Sequence, residues 1–223
     1  MLRKPRMLHR TSYWSICLVE LLLCNVSAHA HENMPEVEIV THYDNAIGSS
    51  ESASQGVVQS QHLNTRALLR PAEALEFIPG MVVTQHSGDG KANQYFLRGF
   101  NLDHGLDFRI TLDGMPVNQL SHAHGQGWAD LNPLIPELIS SVHYRKGPYY
   151  AGDGDMANAG SAAIYTNDKL DAGIASIGLG QFGQARTLLT NSPALGDGKL
   201  LYALELSHYD GPWDHPDNYK KLN

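Results

Sequence analysis

Two histidines separated by one residue, His122 and His124, stand in the loop Ser121-His122-Ala123-His124-Gly125-Gln126-Gly127-Trp128. On an extended segment that spacing puts both imidazoles on the same side. Two other polar loops carry related groups, with His86 and Asp89 in residues 85–90 and Asp103-His104 in residues 101–105. Imidazole combined with carboxylate suits zinc, copper or iron. Solvated surface histidines account for the same pattern. No Ser/His/Asp arrangement and no carboxylate pair of defined spacing accompanies these groups, so no residue recommends an enzyme. Residues 178–183, GLGQFG, match the dinucleotide pattern G-x-G-x-x-G. The residues that follow, 185–191, are rich in β-formers and end at Pro193, which leaves no helix to face a pyrophosphate.

The loops hang on residues 93–118, NQYFLRGFNLDHGLDFRITLDGMPVN. Phe96 and Leu97 close a strand at Arg98-Gly99, the Asp103-His104 loop follows, and residues 108–112 reach Asp113-Gly114. Asp-Gly between apolar runs predicts a hairpin, because both central residues of a type I′ turn need positive φ. Pro116 cannot donate to a ladder, so the return strand is expected to be short or at an edge. Upstream, Thr65 is placed to cap a helix whose apolar positions run from Ala67 to Phe77. Pro71 breaks or starts that helix, and Pro79-Gly80 ends it. Residues 81–84 read as a buried strand. Downstream, Asn132-Pro133 caps a short helix over 134–139, residues 142–146 form a strand ending at Gly147-Pro148, and residues 162–166 form another.

From residue 172 the pattern changes. In residues 200–208, Leu200, Tyr202, Leu204 and Leu206 alternate with Leu201, Ala203, Glu205 and Ser207, giving one wholly apolar face and one mixed face. A barrel strand with a lipid-facing side shows this, as does a half-buried soluble strand. The 223 residues carry a formal net charge of −7, and their Lys and Arg form no basic face, which excludes nucleic acid as a partner.

At the N-terminus, Arg3, Lys4, Arg6 and Arg10 precede a mostly apolar run, residues 13–26, and Ala28-His29-Ala30 gives a small-x-small cleavage pattern. Residues 1–30 are therefore expected to be an export signal. Both cysteines, Cys17 and Cys24, fall inside it, so the mature chain is expected to have no disulfide and no thiolate ligand. Residues 36–41, EVEIVT, alternate and are rich in β-formers, and a Ser/Gln/Gly-rich stretch follows. Such a hexapeptide suits strand addition to another protein's sheet or an edge strand of its own domain.

Four motifs occur in order: Pro71-Ala72-Glu73-Ala74-Leu75 running on to Ile78-Pro79-Gly80-Met81-Val82-Val83; Phe96-Leu97-Arg98-Gly99-Phe100; Ile110-Thr111-Leu112-Asp113-Gly114-Met115-Pro116-Val117; and residues 142–148. Together they resemble the plug domain of TonB-dependent outer-membrane receptors. The resemblance implies an α+β plug, a mixed β-sheet with short helices, followed by the first antiparallel strands of a transmembrane β-barrel. It divides the chain into signal peptide (1–30), TonB box and flexible linker (31–62), plug (63–168) and first barrel strands (169–223). It also implies active import of a small ligand, such as a ferric siderophore or other metal complex, with no cofactor beyond a metal carried in the ligand.

The same resemblance makes TonB the partner and Val37, Glu38, Ile39, Val40 and Thr41 its box. The ligand-facing apices of the plug would be His86, Asp89, Asp103, His104, His122, His124 and Trp128, with His122 and His124 the candidates for a direct metal contact. Arg98, Arg145 and Lys146 would latch the plug to barrel carboxylates. Two features depart from the family pattern. Lys146 stands where an arginine is usual, and Tyr150-Ala151 and Gly160-Ser161 replace Tyr-Gly and Gly-Gly. Residues 171–223 leave room for about three transmembrane strands of roughly 9–11 residues, so a truncated receptor unable to transport alone is expected. The competing expectation is a soluble periplasmic metal-binding module that uses His86, His104, His122 and His124.

Overall fold

The computed structural model describes residues 43–45, 48–86 and 88–223, all within the unit Thr41–Asn223. The signal segment 1–30 and the box Val37–Thr41 lie outside the described residues.

In chain order, the described residues open with β1 (Tyr43–Asn45), β2 (Gly48–Ser52), β3 (Gln55–Gln59) and α1 (Ser60–Leu63). A 3-10 turn at Pro71–Phe77 precedes β4 (Met81–Thr84), β5 (Gln94–Leu97), β6 (Phe100–Asn101), β7 (Phe108–Leu112) and β8 (Met115–Pro116). A second 3-10 turn, Pro136–Leu138, leads into β9 (Ile139–Lys146), and a third, Ala151–Asp153, precedes β10 (Gly160–Thr166). The C-terminal part contributes β11 (Ile174–Leu179), β12 (Ala185–Asn191), β13 (Ala194–Leu195), β14 (Gly198–Lys199), β15 (Tyr202–Tyr209) and β16 (Tyr219–Leu222).

The central sheet has seven strands in the order β1-β2-β3-β9-β10-β7-β8, and β4, β5 and β6 form a smaller sheet. Strands β7 and β10 pair in parallel, Phe108 opposite Gly160 and Leu112 opposite Ile164. A parallel pair requires a long crossover. Here the crossover is residues 113–159, and it carries the His122–Trp128 loop. Leu75, Ile78, Tyr95, Phe108, Ile110, Val142 and Ile164 are fully buried and form the centre of the core.

The hairpin forms where Asp-Gly predicts it. Asp113 and Gly114 sit at φ 47° and 82°. The return strand is only two residues long: after Val117 N–H donates to Ile110 O at 2.9 Å, the Ile110 N–H goes to the Asn118 side chain instead of the backbone. The upstream helix differs from expectation. Thr65 caps nothing; its hydroxyl donates to His62 O at the end of α1, and the second element begins at Pro71. A proline ring there clashes with the carbonyl four residues earlier, so no helix can run through from 65. The helix expected over 134–139 is a single 3-10 turn for the same reason, with Pro136 at its start.

Residues 31–62 were expected to be box and linker, yet 48–59 are two strands of the central sheet. Strand β3 pairs antiparallel with β9, Val58 opposite Val142, and Val58 is buried. Backbone pairing to an open sheet edge needs little apolar content, which is why a Ser/Gln-rich sequence can supply it.

The C-terminal sheet is antiparallel in the order β11-β12-β15-β16. Four strands fit where about three were expected because they run only four to eight residues each. Along β15, Tyr202, Leu204 and Leu206 are 40–48% exposed while Glu205 between them is 1% exposed. The apolar face is therefore turned outward and the charged face inward, which is the reverse of a soluble half-buried strand.

Candidate functional site

The three polar loops converge because backbone and amide groups tie them to one another. Tyr95 N–H donates to Asp103 O and Leu102 N–H to Tyr95 O, both at 2.9 Å, so β5 carries the Asp103-His104 loop. Ala129 N–H donates to His104 O at 2.7 Å, and Tyr95 Oη donates to Ala129 O at 3.0 Å, which fixes the end of the His122–Trp128 loop. That loop is closed at its base by Gln119 N–H to Trp128 O (2.9 Å) and Gly127 N–H to Gln119 O (2.8 Å). A Cβ on Gly105 would lie 2.5 Å from Gly127 O, so the two loops cross at a distance that only glycine permits.

Asn118 joins the same structure to the hairpin. Its Oδ1 accepts from Ile110 N–H at 2.6 Å, and its Nδ2 donates to Gly105 O, Phe108 O and Gly127 O at 2.9–3.1 Å. Sequence spacing gave no sign of this role.

The result is a ring cluster. His104 packs against His86 (centroids 4.9 Å, nearly parallel), His124 (4.8 Å, edge-on) and Trp128 (4.6 Å). His122 stacks on Trp128 at 4.4 Å. His104 is 5% exposed, while His86 and His124 are exposed. Its Nδ1 lies 3.0 and 3.1 Å from the carbonyl oxygens of Ala92 and Asn93. Since neither oxygen can donate, Nδ1 carries a proton, and in the neutral ring Nε2 holds the lone pair. Asp103 Oδ1 stands 3.8 Å from that Nε2. Asp103 itself sits at φ 48°, held by Asn101 Oδ1, which accepts its N–H at 2.9 Å. Among the described residues no three His, Cys, Asp or Glu already converge on a common ion position.

Six of the seven predicted apex residues therefore meet. Asp89 does not join them. It lines a separate cleft of about 290 Å³ with Arg70, Arg186, Tyr219 and Lys221, on the side of the C-terminal sheet. Burial pushes its carboxyl up, Asp217 adds to this and Arg70 opposes it. Gly88 and Gly90, at φ 64° and 76°, turn the loop so that its two ends face different ways.

The predicted latch residues do not reach the C-terminal sheet among the described residues. Arg98 donates to Ala53 O at 3.3 Å, Lys146 Nζ to Pro79 O at 3.0 Å, and Arg145 pairs with Asp153 at 2.9 Å. Arg145 and Lys146 end β9, whereas the C-terminal sheet meets the domain at the other end of that strand, roughly 25 Å away for eight extended residues. There Arg186 of β12 binds Glu137 bidentately at 2.6 and 2.9 Å and reaches Glu205 at 2.6 Å. Lys221 Nζ lies 2.9 Å from Glu205, which makes two cations and two carboxylates in one cluster. In this contact the arginine is on the strand and a carboxylate is on the domain. Glu205, a lone charge on the face opposite the leucines, was the available signal.

The model of the TonB-dependent Receptor Plug Domain family matches residues 48–161. Among solved structures, the chain is similar to the copper transporter OprC (21% identity, TM-score 0.52, 70% of this chain and 24% of that one). It is also similar to the ferric enterobactin receptor PfeA of Pseudomonas aeruginosa (18%, TM-score 0.51, 71% and 25%). A third is the pyoverdine receptor FpvA of Pseudomonas aeruginosa PAO1 (20%, TM-score 0.53, 72% and 23%). The chain spans about a quarter of the length of these structures. The seven-stranded mixed sheet with its short helices is thus a plug, the antiparallel sheet after it corresponds to the start of a barrel, and the chain belongs to the TonB-dependent receptor plug domain family.

Proposed function

We propose that this chain is the plug and first barrel strands of an outer-membrane receptor that imports a small metal-bearing ligand, such as a ferric siderophore or other metal complex, with energy from TonB. The observation that carries this reading is the convergence of three separate loops on one cluster, His86, Asp103, His104, His122, His124 and Trp128, in a domain of this family. The outward leucines of β15 support a membrane setting over the soluble periplasmic module, because a soluble sheet would bury that face. The similar structures, a copper transporter and receptors for ferric enterobactin and pyoverdine, are consistent with a metal-bearing ligand.

Val37–Thr41 is the segment assigned to TonB, by strand addition. Ile39→Cys in the receptor should cross-link to TonB when ligand is present, and deletion of residues 37–41 should abolish uptake while ligand binding persists. Uptake that survives this deletion would refute the proposal.

A further inference from the structure

We propose that the ring cluster is a site for a divalent late first-row cation of the zinc or copper type, with His104 Nε2 and the Asp103 carboxylate as its fixed ligands and His124 and His86 completing it. The proposal rests on the receptor reading and narrows its ligand class.

The fixed pair carries most of the argument. With Nδ1–H committed to two carbonyls, the neutral His104 ring presents its free nitrogen, Nε2, 3.8 Å from a carboxylate oxygen. A cation shared by the two, a proton on Nε2 or a metal ion, favours that approach. For metal bonds of about 2.0–2.2 Å to nitrogen and oxygen, that spacing corresponds to an angle at the ion of about 130°, somewhat wider than tetrahedral. The backbone carbonyls behind His104 hold the ring as metal-bound histidines are commonly held. His86 and His124 each touch the His104 ring, and both are exposed, so their rings can turn toward the ion without disturbing the core.

The charge of the cluster selects the same class. Its members are four imidazoles, an indole and a carboxylate, and loop 119–130 contains no Lys or Arg. An anionic ferric chelate calls for cations at its contact surface. Nitrogen donors with one carboxylate favour a nitrogen-seeking divalent ion.

The chain without its expected signal, residues 31–223 in detergent, titrated with zinc chloride and copper chloride in a calorimeter near neutral pH, tests this. A ferric tris-catecholate serves as the anionic comparison. One ion per chain is expected, with affinity falling about tenfold or more in His124→Ala and in Asp103→Asn. His215→Ala, outside the cluster, should leave it unchanged. His124 is exposed, so its variant keeps the fold, and circular dichroism checks this for both variants. Absence of binding, or binding equal in wild type and both variants, overturns the proposal. If the tris-catecholate binds and His124→Ala abolishes that binding while zinc and copper are indifferent, the cation site falls and the receptor reading stands. If no probe depends on these residues, both fall.

Discussion

Asn118 satisfies one N–H and three carbonyls drawn from the hairpin and from both crossing loops. Removing it leaves several partly buried groups unpaired, so Asn118→Ala should cost about 2–3 kcal/mol in denaturant unfolding. Asn118→Asp should cost at least as much, because a carboxylate cannot donate to three carbonyls. If Asn118→Asp unfolds like wild type, the donor role assigned to Nδ2 is wrong. Asp113 acts similarly at the hairpin, where its carboxylate accepts Thr166 N–H at 2.9 Å and Thr166 Oγ1–H at 2.7 Å, and its φ of 47° suits Asp or Asn. Asp113→Asn should be nearly neutral and Asp113→Val should lose about 2 kcal/mol, since a β-branched residue resists that φ. Equal thermal stability of the two variants would count against this account.

At the scale of elements, the contact between plug and first barrel strands runs through the cluster of Glu137, Arg186, Glu205 and Lys221. Breaking one partner leaves a buried charge uncompensated, at a cost of about 3–5 kcal/mol for a fully buried pair and less here because Glu137 and Arg186 are partly exposed. Glu137→Gln should therefore speed amide exchange in β12 and β15 while leaving β9 and β10 protected, whereas uniform acceleration would mean that the cluster also supports the plug core. The same pair predicts an acid effect. Burial pushes the Glu137 carboxyl up, but hydrogen bonds from Arg186, aided by its charge and that of Lys221, hold it below the ordinary value of 4.5. A depressed carboxylate contributes stability that is full above its unfolded value and is lost as pH falls through the folded one. Wild type should thus lose more stability than Glu137→Gln on acidification below about pH 4.5, and parallel pH profiles would show that the pair is not responsible.

For the whole molecule, the decisive feature is a sheet whose outer face is leucine and tyrosine and whose inner face supplies three charges, Arg186, Glu205 and Lys221, of a four-charge cluster. Leu204 stands in register with Leu189, and Leu206 with Thr187 and Leu222, so the apolar face continues across strands. In the receptor, Leu204→Arg should weaken insertion into lipid by up to about 2–4 kcal/mol, depending on depth, while Ser207→Arg on the other face should not show this lipid-depth penalty. Flotation with liposomes distinguishes them, and equal recovery of both would argue that the leucine face does not meet lipid.

The sequence by itself determined the local elements. Asp113-Gly114 required its hairpin, Pro71 broke the upstream helix, and alternation from Leu200 to Leu206 marked an apolar face, because each follows from backbone sterics or a period of two. It also singled out the histidines and acids of three loops by type. Only the tertiary structure decided that six of the seven apex residues meet and that Asp89 turns away, since loop convergence depends on hydrogen bonds between backbone groups far apart in sequence. The Ser/Gln-rich residues 48–59 joined the sheet for a related reason, because strand pairing uses main-chain groups that composition does not report. The pairing of Arg186 with Glu137 was likewise decided in three dimensions. A charge on an inward face demands a partner, but which cation meets which carboxylate depends on where the strands dock.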